Sequence, residues 1–184
     1  MGKVIYLMNV SLDGFVEGPD GKFEWTYPDA EILRFHSQLA RGVGGIIYGR
    51  RMYETMSVWQ DLGEDGLSDE MVEYGRIWRS KPKLVFSTTL PRVGESCRLA
   101  RGSLVEEVGA FGKQVQGDVA VSGPGIAGSM ARLGLVDEYQ MVIYPVIVGG
   151  GKPFLPKLEK ILPLKLLETR TFPRGEMYLR YQRA

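Results

Sequence analysis

Cysteine and histidine are nearly missing from this sequence, which has one of each among 184 residues, Cys97 and His36. A single cysteine cannot form an intrachain disulfide, and this is typical of proteins from a reducing compartment. A zinc site of the usual kind takes about four cysteine or histidine ligands, so we expect no metal centre. His36 has no catalytic partner in any motif, and we expect it on the surface or edge of a helix.

An excess of charge and a long hydrophobic run are also missing. Lysine plus arginine number 23 and aspartate plus glutamate 22, a net charge of +1, whereas nucleic-acid binding calls for a basic face. No apolar run approaches the roughly 20 residues that a membrane span needs, and polar residues follow Lys3 too soon for a signal peptide. We therefore expect a cytoplasmic protein with neither nucleic acid nor membrane as a partner.

Short apolar runs alternate with segments of helical periodicity over the first two-thirds of the chain. The patterns predict strands at 4–10, 45–48, 83–86 and 118–121 and helices at 28–41, 50–58, 67–79 and 126–133. A further helix is predicted between a capping box of Ser103 and Glu106 and the terminating Gly117. A strand at 139–148, interrupted by Pro145, and an antiparallel pair at 164–171 and 177–181 complete the chain. The alternation predicts an α/β fold in one domain, residues 1–184, with a mostly parallel sheet that turns antiparallel at the C-terminus.

Three of the predicted strands end in loops rich in glycine, hydroxyl or arginine side chains: Gly49-Arg50-Arg51, Ser87-Thr88-Thr89 and Ser122-Gly123-Pro124-Gly125. Ligands of such sheets bind beyond the carboxyl ends of the strands, so these loops predict a ligand site. Gly123, Gly125 and Gly128 match G-x-G-x-x-G before a helix, where backbone amides and the helix dipole favour a phosphate. A Rossmann domain requires an acidic residue at the end of the next strand, and this chain has none there. We expect an anion-binding turn; the alternative is a turn that only allows close packing.

Arg50 and Arg51 suit a phosphate because the guanidinium donates paired hydrogen bonds and keeps its charge. An exposed helix start paired with Glu54 is an equally weighted alternative. For each of Ser87, Thr88 and Thr89, a role in a turn or cap is the more common one.

Polar residues also end the first strand, where Asn9, Ser11 and Asp13 would share one face and border a cleft. The alternative is that the strand ends early and Asp13-Gly14 forms a turn. Asp29 and Glu31 open the first helix, where the dipole alone favours at least one of them. Trp25 either lines the cleft or packs against that helix.

Several segments resemble one known superfamily, and the resemblance covers nearly the whole chain. The segments are Val10-Ser11-Leu12-Asp13-Gly14-Phe15, Ile46-Ile47-Tyr48-Gly49-Arg50-Arg51-Met52-Tyr53-Glu54, Val121-Ser122-Gly123-Pro124-Gly125 and Leu135-Val136-Asp137-Glu138. They are similar to dihydrofolate reductases and to the reductase domain of the riboflavin-biosynthesis bifunctional deaminase-reductase. The run Val146-Ile147-Val148-Gly149-Gly150-Gly151-Lys152-Pro153-Phe154 looks more like the riboflavin branch.

The resemblance implies a three-layer α/β/α fold with NADPH across the strand ends and hydride transfer to a substrate C=N or C=O carbon. It implies cofactor contacts from Val16, Gly49, Arg50, Arg51, Ser87, Thr88, Thr89, Ser122, Gly123, Pro124, Gly125 and Ile126. Candidate catalytic residues are Asp13, Asp29 and Glu31, and candidate substrate-binding residues are Asn9, Ser11 and Trp25. It also implies a homodimer.

One departure bears on the substrate. The riboflavin reductase tends to carry an acidic residue just before its glycine turn, where this chain has Val121 and Ser122. No deaminase domain with zinc ligands is present either. We therefore expect a stand-alone NADPH-dependent reductase of a small heterocycle, pterin-like or pyrimidine-like. The alternatives are dihydrofolate reductase proper and a nucleotide-binding protein of this fold without turnover.

Overall fold

A computed structural model describes residues 2–155 and 157–184. In chain order the strands are β1 (Val4–Ser11), β2 (Phe15–Glu17), β3 (Val43–Gly49), β4 (Lys83–Phe86), β5 (Cys97–Leu99), β6 (Asp118–Ser122), β7 (Glu138–Tyr144), β8 (Lys152–Pro153), β9 (Leu164–Thr171) and β10 (Met177–Arg183). The helices are α1 (Ala30–Arg41), α2 (Arg50–Met56), α3 (Val58–Asp61), α4 (Asp69–Ser80), α5 (Leu104–Gln114) and α6 (Pro124–Arg132).

The chain divides into two compact units. The first unit contains residues 2–3 and Pro28–Gly123, and the second contains Val4–Tyr27 and the described part of Pro124–Ala184. A single domain over residues 1–184 stays a prediction. None of the helices in the described ranges is long and apolar enough to cross a membrane.

The sheet of the first unit is entirely parallel. Its strands lie in the order β5-β4-β3-β6, and each neighbouring pair runs in the same direction. Parallel neighbours are usually joined by a crossover that contains a helix. Here α2, α3 and α4 join β3 to β4, and α5 precedes β6, whereas β4 and β5 are joined without a helix. The predicted strands at 45–48, 83–86 and 118–121 are confirmed, whereas the short β5 escaped prediction because three residues carry too little periodicity.

Helices cover both faces of this sheet. On one face, Trp78 of α4 donates its indole N–H to the Tyr48 hydroxyl at 3.0 Å, and both side chains are buried. On the other, Gly45 leaves room for Phe111 of α5, whose Cζ would lie only 2.7 Å from a Cβ at that position. Side chains alternate between the two faces along a strand, so Gly45 and Tyr48, three residues apart on β3, face opposite sides of the sheet. The three-layer arrangement predicted for the fold is therefore confirmed in this unit.

Side-chain caps explain where the helices begin. The Asp29 carboxylate accepts the Ile32 amide at 2.9 Å at the start of α1, and Ser68 accepts the Met71 amide at the start of α4. Ser103 and Glu106 form the predicted capping box at the start of α5. The observed starts of α1 and α4 lie two residues after those predicted at 28 and 67, because the capping residues themselves stay extended.

The second unit contains the antiparallel part of the fold. Its main strands lie in the order β1-β7-β10-β9; β1 and β7 are parallel, and the other two pairs are antiparallel. The predicted C-terminal pair is thus confirmed. The prediction that the strand from 139 continues to 148 is wrong, since β7 ends at Tyr144, directly before Pro145. Proline has no amide hydrogen to donate to a ladder.

A small ribbon of β2 and β8 completes the second unit. Next to it, Tyr6 of β1 stacks on Phe154 with ring centroids 4.3 Å apart, and its hydroxyl donates to the Phe154 carbonyl at 2.9 Å. Burial raises the pKa of Tyr6 far above its ordinary value, so the hydroxyl remains protonated. This contact attaches the segment that follows Gly149-Gly150-Gly151 to β1.

Candidate functional site

In the first unit, the carboxyl ends of three neighbouring parallel strands meet at one edge of the sheet. Gly49 at the end of β3 is level with Phe86 at the end of β4, and Tyr48 is level with Ser122 at the end of β6. The loops beginning at Gly49, Ser87 and Ser122 therefore leave the sheet side by side. This is the edge at which open α/β sheets bind ligands.

Arg50 and Arg51 form the first turn of α2 and are both exposed. Within residues 2–155 and 157–184, neither forms an ion pair. The alternative in which Glu54 neutralises them is therefore not found in the described structure. Their charges remain available to a bound anion.

Ser87 serves the local turn. Its hydroxyl accepts the amides of Thr89 at 3.2 Å and Leu90 at 3.0 Å. That is the common role expected for a hydroxyl after a strand, and it leaves Thr88 and Thr89 exposed beside the strand end. Contact of these three residues with a cofactor stays a prediction.

The glycine turn, Gly123-Pro124-Gly125, contains one glycine that its backbone conformation requires and one that has free space around it. Gly123 has φ of 106°, which a residue with a side chain rarely adopts. Pro124 occupies the first position of α6, where its missing amide hydrogen costs nothing. A Cβ on Gly125 would meet no described atom within 4 Å, so close packing does not account for this glycine. Gly128, in contrast, is buried and fits the packing explanation.

In the second unit, Asn9 and Ser11 lie on one face of β1, as predicted, but Asp13 does not extend that face. The strand ends at Ser11, and Gly14 follows in a turn with φ of 89°. The Ser11 hydroxyl donates to Asp13 at 2.6 Å and accepts the Phe15 amide at 3.0 Å. The alternative of an early strand end is thus the observed one.

Asp13 anchors the loop that contains Gly149, Gly150 and Gly151. Its carboxylate accepts the amides of Val148 at 3.2 Å and Gly149 at 2.8 Å. The Ser11 hydroxyl, followed by these amides, lowers the pKa of Asp13. A carboxyl kept ionised in this way is suited to fixing a loop and ill suited to donating a proton at neutral pH. A catalytic role for Asp13 stays a prediction.

The candidates on the first helix have different positions. Asp29 is the N-cap of α1, and Glu31 lies in its first turn, half-buried. A catalytic role for either stays a prediction. His36 was predicted on the surface or edge of a helix, and the residue is half-buried, as an edge position implies. Its ring nitrogen Nε2, however, is buried without a hydrogen bond from described residues. Burial lowers the pKa of His36 to about 4, so the ring is neutral.

Trp25 packs edge-on against Tyr144, with ring centroids 5.9 Å apart and planes at 74°. Ser11 is the β1 partner of Tyr144 in the parallel register, so Trp25 covers the face that carries Asn9 and Ser11. The structure thus brings together the three predicted substrate-binding residues, Asn9, Ser11 and Trp25. Val16 is buried in β2, and its contact with a nicotinamide stays a prediction.

Two further residues at this face were missed by sequence reasoning. Tyr144 and Glu176 are both buried, and Glu176 directly precedes β10. The sequence pattern that could have revealed Glu176 is the alternation of Glu176, Met177 and Tyr178, in which the acidic residue occupies an inward position. A charged residue next to a turn is ordinarily taken as exposed, and for this reason the signal passed unnoticed.

The solved structures similar to this chain share its fold. A putative riboflavin biosynthesis protein from Shewanella sp. PV-4 has a TM-score of 0.75 and 22% identity, with 99% of both chains covered. Dihydrofolate reductase from Enterococcus faecalis, complexed with NADP(H) and RAB-propyl, has a TM-score of 0.67 and 14% identity, with 99% of this chain and 96% of that chain covered. Similarity at this level of identity establishes the dihydrofolate reductase-like fold alone.

Sequence comparison extends the similarity. The protein YyaP of Bacillus subtilis (strain 168), described as uncharacterized, is 31% identical over 182 residues, which are 97% of this chain and 94% of that protein. The family model described as RibD C-terminal domain matches residues 2–178, which include most of both compact units. The chain therefore belongs to the RibD C-terminal domain family.

Proposed function

We propose that this chain is an NADPH-dependent reductase that transfers a hydride to a small heterocyclic substrate, pterin-like or pyrimidine-like. One observation carries the proposal: three parallel strands of the first unit end side by side in the loops that begin at Gly49, Ser87 and Ser122. The similar structures support an oxidoreductase, because they include a dihydrofolate reductase complexed with NADP(H).

The residues present fit a phosphorylated dinucleotide. Arg50 and Arg51 are exposed cations without ion pairs in the described structure, and they suit the additional phosphate that distinguishes NADPH from NADH. The α6 start at Pro124, preceded by the positive-φ Gly123, suits the pyrophosphate. When bound, NADPH would supply the hydride, and the chain would supply binding, orientation and exclusion of water.

Charge reversal at Arg50 and Arg51 tests the cofactor assignment. A charge-assisted hydrogen bond is worth about 1.5–3 kcal/mol, so Arg50→Glu and Arg51→Glu should each weaken NADPH binding by about 10- to 100-fold. NADH binding should change much less, because it lacks the additional phosphate. Fluorescence titration with both cofactors measures the two affinities.

Lys113→Glu is the matched control, since Lys113 is an exposed cation near the end of α5, which leads to the amino end of β6. It should leave both affinities unchanged. Unchanged NADPH affinity in both arginine variants would refute the assignment. Oxidation of NADPH by pteridines and pyrimidines then separates a reductase from a protein that binds the nucleotide without turnover.

We also propose that the protein is a homodimer. The support is the exposed strand β9, which bears Leu166 and Leu167 on its surface and pairs, within the described residues, with β10 alone. Open strand edges of this length are ordinarily covered or paired.

A further inference from the structure

Glu176 lies at an inward position where the C-terminal hairpin meets β7. Met177 is paired with Ile143 in the antiparallel register, and continuing the register by one residue places Glu176 beside Tyr144. A Cβ on Gly175 would lie 3.5 Å from Pro145, which places the same turn against the end of β7. Glu176 is 1% exposed and Met177 is 41% exposed, so the carboxyl points to the inner side of the strand.

The carboxyl of Glu176 is only partly satisfied by the residues that the structure describes. Its Oε1 forms a long ion pair with the exposed Arg174, 3.7 Å from Nε, which is beyond hydrogen-bond distance. Its buried Oε2 accepts no hydrogen bond from any residue in the described ranges. Glu138, equally buried on the neighbouring strand, accepts Arg180 Nε at 2.9 Å and Gln140 Nε2 at 3.2 Å. Buried polar groups nearly always have partners, so Glu176 requires an explanation that Glu138 does not.

Two other buried polar atoms near Tyr144 share this property. Asn9 Oδ1 and Trp25 Nε1 also make no hydrogen bond within the described part of the chain. Asn9 lies two residues before Ser11, the register partner of Tyr144, and Trp25 packs on the Tyr144 ring. Register and ring packing therefore bring the three unsatisfied groups around one residue, all within the second unit.

These groups define the ligand they would take. Glu176 Oε2 and Asn9 Oδ1 accept hydrogen bonds and Trp25 Nε1 donates one, so the ligand presents N–H donors beside an acceptor. The Trp25 ring offers a flat apolar surface to an aromatic ring. Asn9 and Trp25 are only half-buried, so the described residues do not cover these two side chains completely.

We propose that Glu176, together with Asn9 and Trp25, binds the amino-substituted edge of the heterocyclic substrate and that Glu176 selects for the exocyclic amino group. The identification of this ligand as the substrate rests on the proposed reductase function; the binding preference itself does not. A compound with a carbonyl in place of the amino group leaves the buried carboxyl unpaired, and such mismatches are strongly rejected.

The test compares two fluorescent probes, 2-amino-4-oxopteridine and 2,4-dioxopteridine, in titrations of the intact protein with and without NADPH. The amino compound should bind at least about 10-fold more tightly. Glu176→Gln should remove most of this preference, because the carboxamide also offers an N–H donor to the carbonyl. Trp25→Phe keeps a ring against Tyr144 and should weaken both probes by a similar factor.

Arg174→Gln tests whether Glu176 acts only through its contact with Arg174, since the substitution removes the nearby cation and leaves Glu176 in place. It should keep the preference, and Glu176→Gln should change the melting temperature little, because within the described residues it removes no hydrogen bond and only a long ion pair with the exposed Arg174. Equal affinity for the two probes, no binding of either, an unchanged preference in Glu176→Gln, or loss of the preference in Arg174→Gln would each overturn the proposal. If the preference holds while no heterocycle oxidises NADPH, the reductase function fails and the binding site stands.

Discussion

Replacement of Gly125 by alanine should separate the stability of this protein from its affinity for NADPH. Gly125 is the second residue of α6, its φ is not positive, and an added Cβ would meet no described atom within 4 Å. Glycine in a helix is less stable than alanine by roughly 0.5–1 kcal/mol. The variant should therefore melt about 1–4 °C higher, given the entropy of unfolding of a chain of this size.

If the cofactor assignment proposed above holds, the same methyl group occupies the space that the pyrophosphate needs at the helix start. Loss of one backbone hydrogen bond to a phosphate costs about 1.5–3 kcal/mol, which corresponds to about 10- to 100-fold in dissociation constant. Ligand stabilisation makes this visible in a melting experiment. At a concentration 100 times the wild-type Kd, NADPH adds about 2.7 kcal/mol to the wild type and about 1 kcal/mol to a variant that binds about 30-fold more weakly.

Gly109→Ala provides the matched control. Gly109 lies within α5, and a Cβ there also meets no described atom within 4 Å, so the substitution should raise stability and leave NADPH affinity unchanged. The measurement is thermal unfolding of the three proteins with and without NADPH, together with direct titration. Wild-type affinity in Gly125→Ala would refute the assignment of this turn to the cofactor phosphates.

Two predictions concern stability and pH. Glu107 accepts the amides of Arg101 and Gly102, and these bonds, with Arg98, lower its pKa to about 2; Glu107→Gln should cost about 1–3 kcal/mol at pH 7. A carboxyl whose pKa is lowered by folding stabilises the folded state at pH values above its pKa in the unfolded chain. The difference in unfolding free energy between wild type and Glu107→Gln should therefore shrink between about pH 5 and 2 in urea titrations, and a difference that stays constant with pH would contradict this. Burial lowers the pKa of Lys83 to about 8, so the unfolded chain binds more protons above that pH. The stability of the wild type relative to Lys83→Met should accordingly rise between pH 8 and 10, by on the order of 3 kcal/mol in full; a flat difference in urea unfolding would contradict the pKa.

The sequence predicts best what backbone geometry dictates. The loops after β3, β4 and β6 were identified because glycine and hydroxyl residues follow short apolar runs, and the parallel register then aligns Gly49 with Phe86 and Tyr48 with Ser122. The capping box at Ser103 is a local pattern of the same kind. In each case the residue type is restricted by φ or by unpaired amides, so the pattern carries the structural information directly.

What escaped prediction depends on contacts distant in sequence. Asp13 follows the alternation of Asn9 and Ser11 in the sequence, yet the carboxyl leaves that face because Val148 and Gly149, about 135 residues later, donate their amides to it. His36 lies in an amphipathic helix pattern, but its ring nitrogen faces the interior. No local pattern distinguishes these fates, since both depend on which segment packs alongside.

The same difference separates phosphate sites, which local sequence patterns reveal, from sites for a heterocycle, which they do not. A phosphate is bound by main-chain amides, a positive-φ glycine and arginines, so its site leaves a motif such as Gly123-Pro124-Gly125. A heterocycle is recognised by isolated side chains, and Asn9, Trp25 and Glu176 come from three separate segments with no spacing rule between them. Their common feature, a buried polar atom that the described structure leaves unsatisfied, appears only after folding. The unsatisfied atoms, rather than the motifs, are therefore the observation from which a substrate is inferred.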